Sequence, residues 1–482
     1  MRKFLHWYDY LFINLYWLGL NTRNTAVGSV FTPYLVALFV PEANRNGALG
    51  WISTAGLIIA MLVQPAAGLL SDRSTLRFGR RRPFLLVGTL FDLIFLLLIA
   101  LAGNFWMLLA ATLLIQFSAN ISHGPLQGLI PDLVPEEQRG RASAVKAVME
   151  LIPIVLVGSI IAQLVGAGRF GWAVAATGAI LAITLVLTLF LVREELLRQK
   201  PISSLREPMV RVLGMLSGIG VGAGVGLVGG AALGGAIALM AWPLVGQKAA
   251  QAIWIGVGGM AAMAIAVVAG VWSGALTTLG QEARRHRSFI WWIVNRLLFL
   301  AAATSFQTFL PFFLMFAFGL NAEQAAALNG ALITVIGLFI LVSALAGGWA
   351  ADRFGQRRVV LISGWLATIG AMLALSTIWS PNLAMIYLAG SILGVGVGLF
   401  MTSNWALGTN PAPAKEAGRY LGISNLAGAG AGVIGKGLGG PMADWLNAFL
   451  PGLGYLGIFA AYAFLFALSA LILGKVQEEP AG

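Results

Sequence analysis

The sequence predicts an all-α membrane protein with 14 transmembrane helices, arranged as two six-helix bundles plus an inserted two-helix hairpin. Three observations predict it: fourteen long apolar runs, a one-sided distribution of Lys and Arg, and a loop motif that occurs twice in register. Of 482 residues, 59% are hydrophobic and only 10% are charged, and the mean hydropathy is +0.87. Soluble domains carry about 25% charged residues, so this chain cannot cover a water-facing surface.

A spanning helix needs roughly 20 mostly apolar residues. Such runs lie at 11–40, 48–70, 84–102, 106–131, 142–167, 172–192, 210–244, 251–276, 289–318, 326–349, 359–378, 383–408, 420–446 and 454–474. With the N-terminus in the cytoplasm, the cytoplasmic segments hold 23 of the 30 Lys and Arg. The opposite side holds 3, Arg45, Arg169 and Lys248, and 4 lie within helices: Arg23, Lys146, Arg296 and Lys436. That bias places both termini inside and favours an even number of spans. The formal charge of +12 therefore reports topology, and no nucleic-acid partner is expected. No small-residue cleavage site follows "MRKFLHWYDY", so the first run is expected to be a retained helix. The expected location is the cytoplasmic membrane.

Two motifs recur in the same order. "GLLSDRSTLRFGRRRP" follows the second run and "GGWAADRFGQRRVV" the tenth; "PDLVPEEQRGR" at 131–141 is matched by "TNPAPAKEAGR" at 409–419. Repetition at a spacing of about 280 residues implies two six-helix halves. The surplus runs at 210–244 and 251–276 fall between them. The expected divisions are 1–200, a first bundle; 201–285, an inserted hairpin with its linkers; and 286–482, a second bundle.

The spacing Gly348, Asp352, Arg353, Gly355, Arg357, Arg358 resembles the loop between helices two and three of the major facilitator superfamily. The first copy, Gly68, Asp72, Arg73, Gly79, Arg81, Arg82, is similar with four extra residues. "SDRSTLRFGRRRPF", together with Asn120, Gly124, Pro125, Leu129, Asp132 and Leu133, resembles the sucrose carriers and the glycoside-pentoside-hexuronide cation symporters; "TPYL" at 32–35 is similar to the end of their first helix. Gln127, Lys146 and Glu150 depart from the plant carriers. The resemblance implies a secondary active transporter that works by alternating access. The proton is the expected coupling ion, with no cofactor, and a monomer in the lipid bilayer binding a small-molecule substrate.

The residues suggest where transport is carried. Gln116, Asn120, His123 and Gln127 fall at i, i+4, i+7 and i+11, one helical face. Four polar side chains there line either a water-filled cavity or a hydrogen-bonded seam. Asn14, Asn21, Thr25 and Thr32 repeat the pattern in the first run, with Asn21 and Thr25 assigned to substrate. On the opposite wall, Gln116, Asn120, His123 and Gln127 map to Gly394, Gly398, Met401 and Trp405. Gln307 and Trp405 are the substrate-binding candidates there. Small residues plus an indole suit a neutral polar solute with an apolar face, a sugar, although Gly394 and Gly398 equally suit close helix packing.

Intramembrane charges cost about 2.5–3.5 kcal/mol each on insertion scales and mark functional positions. Arg23, Asp92, Asp132, Lys146, Glu150 and Arg296 are the coupling candidates. Lys146 and Glu150, at i and i+4, can pair. Asp72, Arg73, Arg81, Asp352, Arg353 and Arg357 are the gating candidates, because topology signalling requires Arg but no Asp. Gly214, Gly218, Gly222, Gly226, Gly230 and Gly234 form a close-packing stripe, expected to meet Gly256, Gly259, Gly270 and Gly274.

Other readings remain open. An exporter of amphipathic compounds would share the fold, and a non-transporting membrane assembly factor is the reading from another class. An enzyme is not expected. Cysteine is absent and His6, His123 and His286 are scattered, so neither a metal centre nor a thiol nucleophile is predicted.

Overall fold

The computed structural model describes residues 5–192, 194, 206–280, 282–409 and 417–476. The loop at 409–419, expected to repeat 131–141, falls mostly outside them, as do Arg2, Lys3, Arg193, Arg198, Lys200 and Lys415.

Helices occupy all fourteen expected places. α1 runs from Trp7–Ala26 through a π-helical turn at Val27–Phe31 into Thr32–Phe39. α2 is Arg45–Ser71, α3 Arg82–Ala100 and α4 Phe105–Gln127, extended by one turn at Leu129–Leu133. α5 runs through Arg139–Leu156, a π turn at Val157–Ile161 and Ala162–Gly166; α6 is Phe170–Leu191. Arg206–Leu279 is two helices, α7 and α8, broken at Gly246, whose φ of +80° an L side chain rarely adopts. The second half contains α9 Arg287–Phe318, α10 Ala322–Phe354, α11 Gln356–Leu375, α12 Leu383–Thr409, α13 Ala417–Asn447 and α14 Leu453–Ile472. Among the described residues, 11 helices are long and apolar enough to cross a membrane, the joined 212–278 counting once. Large apolar side chains such as Phe190, Val228, Met240 and Leu244 are exposed, as a lipid-facing surface requires.

Local chemistry sets the ends and irregularities. Asn104 caps α4 by accepting the Met107 N–H at 2.9 Å. Gly319 ends α9 in the left-handed conformation. Pro33 has no N–H for the Ser29 carbonyl, and the Asn329 amide donates to that carbonyl instead, at 3.1 Å.

The helices form two units. Unit 1 contains Met1–Phe39, Ile58–Met209 and Ala322–Gly337; unit 2 contains Val40–Leu57, Val210–Asn321 and Leu338–Gly482. In unit 1, α1 packs on α5 and α6, and α3 on α4 and α6. In unit 2, α9 packs on α13 and α14, and α11 on α12 and α14. The second set of pairings is the first advanced by eight helices, so the repeat seen in the loops is also a repeat of packing.

Small residues permit these approaches. A Cβ on Gly88 of α3 would lie 2.8 Å from the Ser118 carbonyl of α4, and one on Gly370 of α11 would lie 2.8 Å from the Ala389 carbonyl of α12. In the inserted pair, Gly218 faces Gly274 and Gly222 faces Gly270, while Gly230 and Gly234 face Gly258. Gly256 and Gly259, expected in that seam, instead face Leu446 and Met442 of α13. One residue turns a helix face by about 100°, and Gly258 takes the inward position. Gly398 adjoins Ser343 and the Ile340 carbonyl of α10, so it serves close packing.

α2 and α10 each divide between the units. In the first turns of α2, within unit 2, the Asn46 and Gly47 N–H groups donate to the Asp444 carboxylate of α13 at 3.2 and 2.6 Å. In the first turns of α10, within unit 1, Glu323 accepts the Tyr34 hydroxyl at 3.1 Å.

Candidate functional site

In unit 1 the polar residues of α1, α3, α4 and α5 sort into three groups. The first is a buried ion pair, Arg23 Nη2 to Asp92 Oδ2 at 2.9 Å, with both side chains 1% exposed. The Ser118 hydroxyl donates to the other Asp92 oxygen at 2.7 Å, and Arg23 also donates to Asn24. An arginine inside a membrane helix needs a carboxylate or water beside it. For Arg23 it is Asp92, which ties α1 to α3, with Ser118 adding α4.

The second group is accessible. Lys146 Nζ stands 3.2 Å from Glu150 Oε1, the two side chains 30% and 34% exposed. The same ammonium lies 4.3 Å from the centre of the Trp17 ring on α1, a cation–π contact. Trp17 meets the His123 ring edge-on at 5.3 Å, and His123 is 3.5 Å from the Gln127 amide. A continuous file of polar contacts thus runs from Glu150 on α5 across α1 to Gln127 on α4. Trp17 was missed by the sequence reading, although it lies one turn before Asn21 on the face counted as polar.

The remaining candidates are placed differently from the expected wall. Asn120 is buried and its amide donates to the Gln116 carbonyl of its own helix at 2.7 Å. Asn21 does the same to Trp17 at 3.0 Å, and Thr25 is half-buried. Asn14 donates to the Ala142 carbonyl and Thr32 is buried, so both serve packing. Two of the four residues on the α4 stripe, His123 and Gln127, join the accessible file.

The third group lies in the loop motif. Arg81 is the hub: it contacts Asp72 at 2.5 Å and Asp132 at 3.0 Å, and donates to the Ser71 hydroxyl at 2.7 Å. Arg80 also pairs with Asp132. Asp132, grouped in the sequence with the coupling residues, therefore belongs to this cluster. Glu194 accepts the Arg81 and Arg82 N–H groups at 2.7 and 3.1 Å, a carboxylate at the positive end of α3. Nothing in the sequence had marked it. The second copy of the motif is not built alike. Asp352 is exposed and makes no ion pair among the described residues. Arg353 lies over Trp349 and Phe354, and Arg73 and Arg357 each have a partner.

Unit 2 holds the other polar cluster. Arg296 of α9 donates to Asn404 of α12 at 3.2 Å and lies 5.0 Å from the Trp405 ring. Asn404 donates to Asn295, which donates to the Ser469 carbonyl of α14. Gln307 is half-buried farther along α9. No cluster of His, Cys, Asp or Glu suited to a metal occurs among the described residues.

These features define the class: a multi-pass helical membrane protein of two repeated halves, with ion pairs inside its helical layers. The sequence pattern of the Major Facilitator Superfamily matches residues 24–278 and again 208–436. The chain belongs to the Major Facilitator Superfamily of transporters. It is 31% identical over 139 residues to sucrose transport protein SUC3 of Arabidopsis thaliana, a match covering 24% of this chain and 23% of that protein. The chain thus spans about a quarter of the length of that relative. Among solved structures, a D-xylose-proton symporter superposes with a TM-score of 0.65 at 16% identity, covering 97% of each chain. The nucleoside transporter NupG gives 0.61 at 14%, covering 97% of this chain and 100% of that one. At such identities the likeness establishes the fold.

Proposed function

We propose that this chain is a secondary active carrier, not an enzyme, that moves a small polar solute across the cytoplasmic membrane by alternating access, with both termini cytoplasmic and proton movement coupled through Glu150. Similarity to a sucrose transport protein and a D-xylose-proton symporter supports a hydroxyl-rich solute of the sugar kind. The Lys and Arg distribution supports the orientation.

One observation carries the coupling assignment. Of the two intramembrane ion pairs in unit 1, Arg23–Asp92 is sealed and Lys146–Glu150 is about one-third exposed. A coupling carboxylate must exchange its proton with water, and must stand beside a cation that can be moved away from it. Glu150 satisfies both needs. Its cation is also held by Trp17 of another helix, so movement of α1 relative to α5 draws the ammonium away. Asp92 serves instead as a fixed strut.

The test is transport in proteoliposomes. Glu150→Gln is expected to abolish accumulation driven by an imposed proton gradient while leaving solute exchange without a gradient largely intact. Gradient-driven accumulation by that variant would place coupling elsewhere.

A further inference from the structure

Charge is balanced in unit 1 and unbalanced in unit 2. The two intrahelical cations of unit 1 each face a carboxylate. Unit 2 holds Arg296 and Lys436, and no carboxylate pairs with either among the described residues. The Asp444 carboxylate, two turns from Lys436 on α13, is taken by the Asn46 and Gly47 N–H groups and the Asn46 amide. Arg296 has an amide oxygen and two indole faces for company. Lys436 makes no hydrogen bond or ion pair to any described residue.

The surroundings of Lys436 follow from its neighbours. One turn earlier, a Cβ on Gly432 would lie 4.0 Å from the Thr304 hydroxyl of α9 and 2.7 Å from Leu57 of α2. Gly435 faces Ser305 and Ala301, and Gly439 faces Phe309. Lys436 therefore stands level with the 301–309 stretch of α9, which holds Thr304 and Gln307. The accessible stripe of α9 runs Arg296, Leu300, Ala303, Thr304, Gln307, about three turns of one face. Its polar members at the Lys436 end are Thr304 and Gln307. Thr304 donates only to its own helix at Leu300, and Gln307 makes no hydrogen bond among the described residues.

A lysine ammonium offers three donors and a compact charge. Left alone within a membrane helix it is costly, whereas Arg23 and Lys146 of unit 1 each stand beside a carboxylate. Resting on the carrier reading above, we propose that unit 2 contains an anion-binding site in which Lys436, flanked by Thr304 and Gln307, holds a carboxylate group of the solute. Arg296, about 15 Å nearer the cytoplasmic end of α9 by helical rise, forms a second cationic position beside Trp405 on the same stripe. This replaces the neutral solute expected from the small residues of α12 with one that carries its own negative charge.

The experiment is binding by the full chain in detergent, where no gradient exists and the coupling assignment is not involved. Thermal unfolding is measured with matched probes that differ in one group: gluconate against glucitol, lactate against propane-1,2-diol, and glucose 6-phosphate against glucose. The carboxylates are expected to raise Tm while their neutral partners do not. Lys436→Gln is expected to weaken carboxylate binding at least about tenfold, as loss of a charged hydrogen-bond partner does. Lys436→Arg is expected to keep it, and Lys475→Gln, which removes a cation at the cytoplasmic end of the chain, to leave it unchanged. Stabilisation by the sugar phosphate alone would overturn the carboxylate assignment. Absence of any carboxylate-specific shift, or its survival in Lys436→Gln with wild-type thermal stability, would overturn the site. Neither result bears on whether Glu150 couples protons.

Discussion

Arg23–Asp92 and Lys146–Glu150 have the same chemistry and differ in burial. Removing one partner of a sealed pair leaves an uncompensated charge and costs about 3–5 kcal/mol. An accessible pair contributes about 0–1 kcal/mol. Asp92→Asn is therefore expected to lower the stability of the detergent-solubilised protein severely, and Lys146→Gln to lower it little, as read by denaturant or thermal unfolding. Equal losses would contradict the division into strut and coupling pair. The Lys146–Glu150 pair was legible in the sequence because both residues sit on one helix, one turn apart. The partner of Arg23 was not. The sequence required some carboxylate but offered several, and the choice of Asp92 depends on how α1 crosses α3. Asn120 makes a related point: periodicity places a residue on a face, but the direction of its amide, here toward the Gln116 carbonyl, is set by the packing.

The two copies of the loop motif show how far an element can be read from its sequence. Gly79 and Gly355 hold the same place in each copy, and both have positive φ, +114° and +86°, which explains why glycine stands there. The acidic members diverge. Asp72 reaches Arg81, helped by Gly128, where a Cβ would collide with the guanidinium. Asp352 has no such partner among the described residues. The four residues added to the first copy lengthen the turn that brings Arg81 back under α2, and no count of motif matches reveals that. With no cysteine in the chain, spin labels can be placed at will. Asp72→Asn is expected to alter the distance distribution between labels on the two halves, and Asp352→Asn to leave it unchanged. The opposite pattern would assign the gating role to the second copy.

At the scale of the whole molecule the sequence was most informative, because apolar run length, charge bias and repetition are each summed over many residues and survive local error. The packing pattern α1–α5–α6–α3–α4, repeated as α9–α13–α14–α11–α12, is the three-dimensional form of two loop motifs already visible in one dimension. What no repeat predicts is the exchange of helix ends: 40–57 belongs with unit 2 and 322–337 with unit 1. Its consequence concerns assembly from parts. If the chain is cut at the expected boundary and the fragments 1–200 and 201–482 are produced from separate genes in one cell, each fragment lacks a segment that its own core needs and carries one that the other needs. Asp444 in the second fragment still seeks the N–H groups of Asn46 and Gly47 in the first, and Tyr34 in the first still seeks Glu323 in the second. A tag on either fragment is expected to retrieve both in equal amounts, with solute uptake restored to the cell, and Asp444→Ala is expected to reduce the yield of the complex without touching the cut.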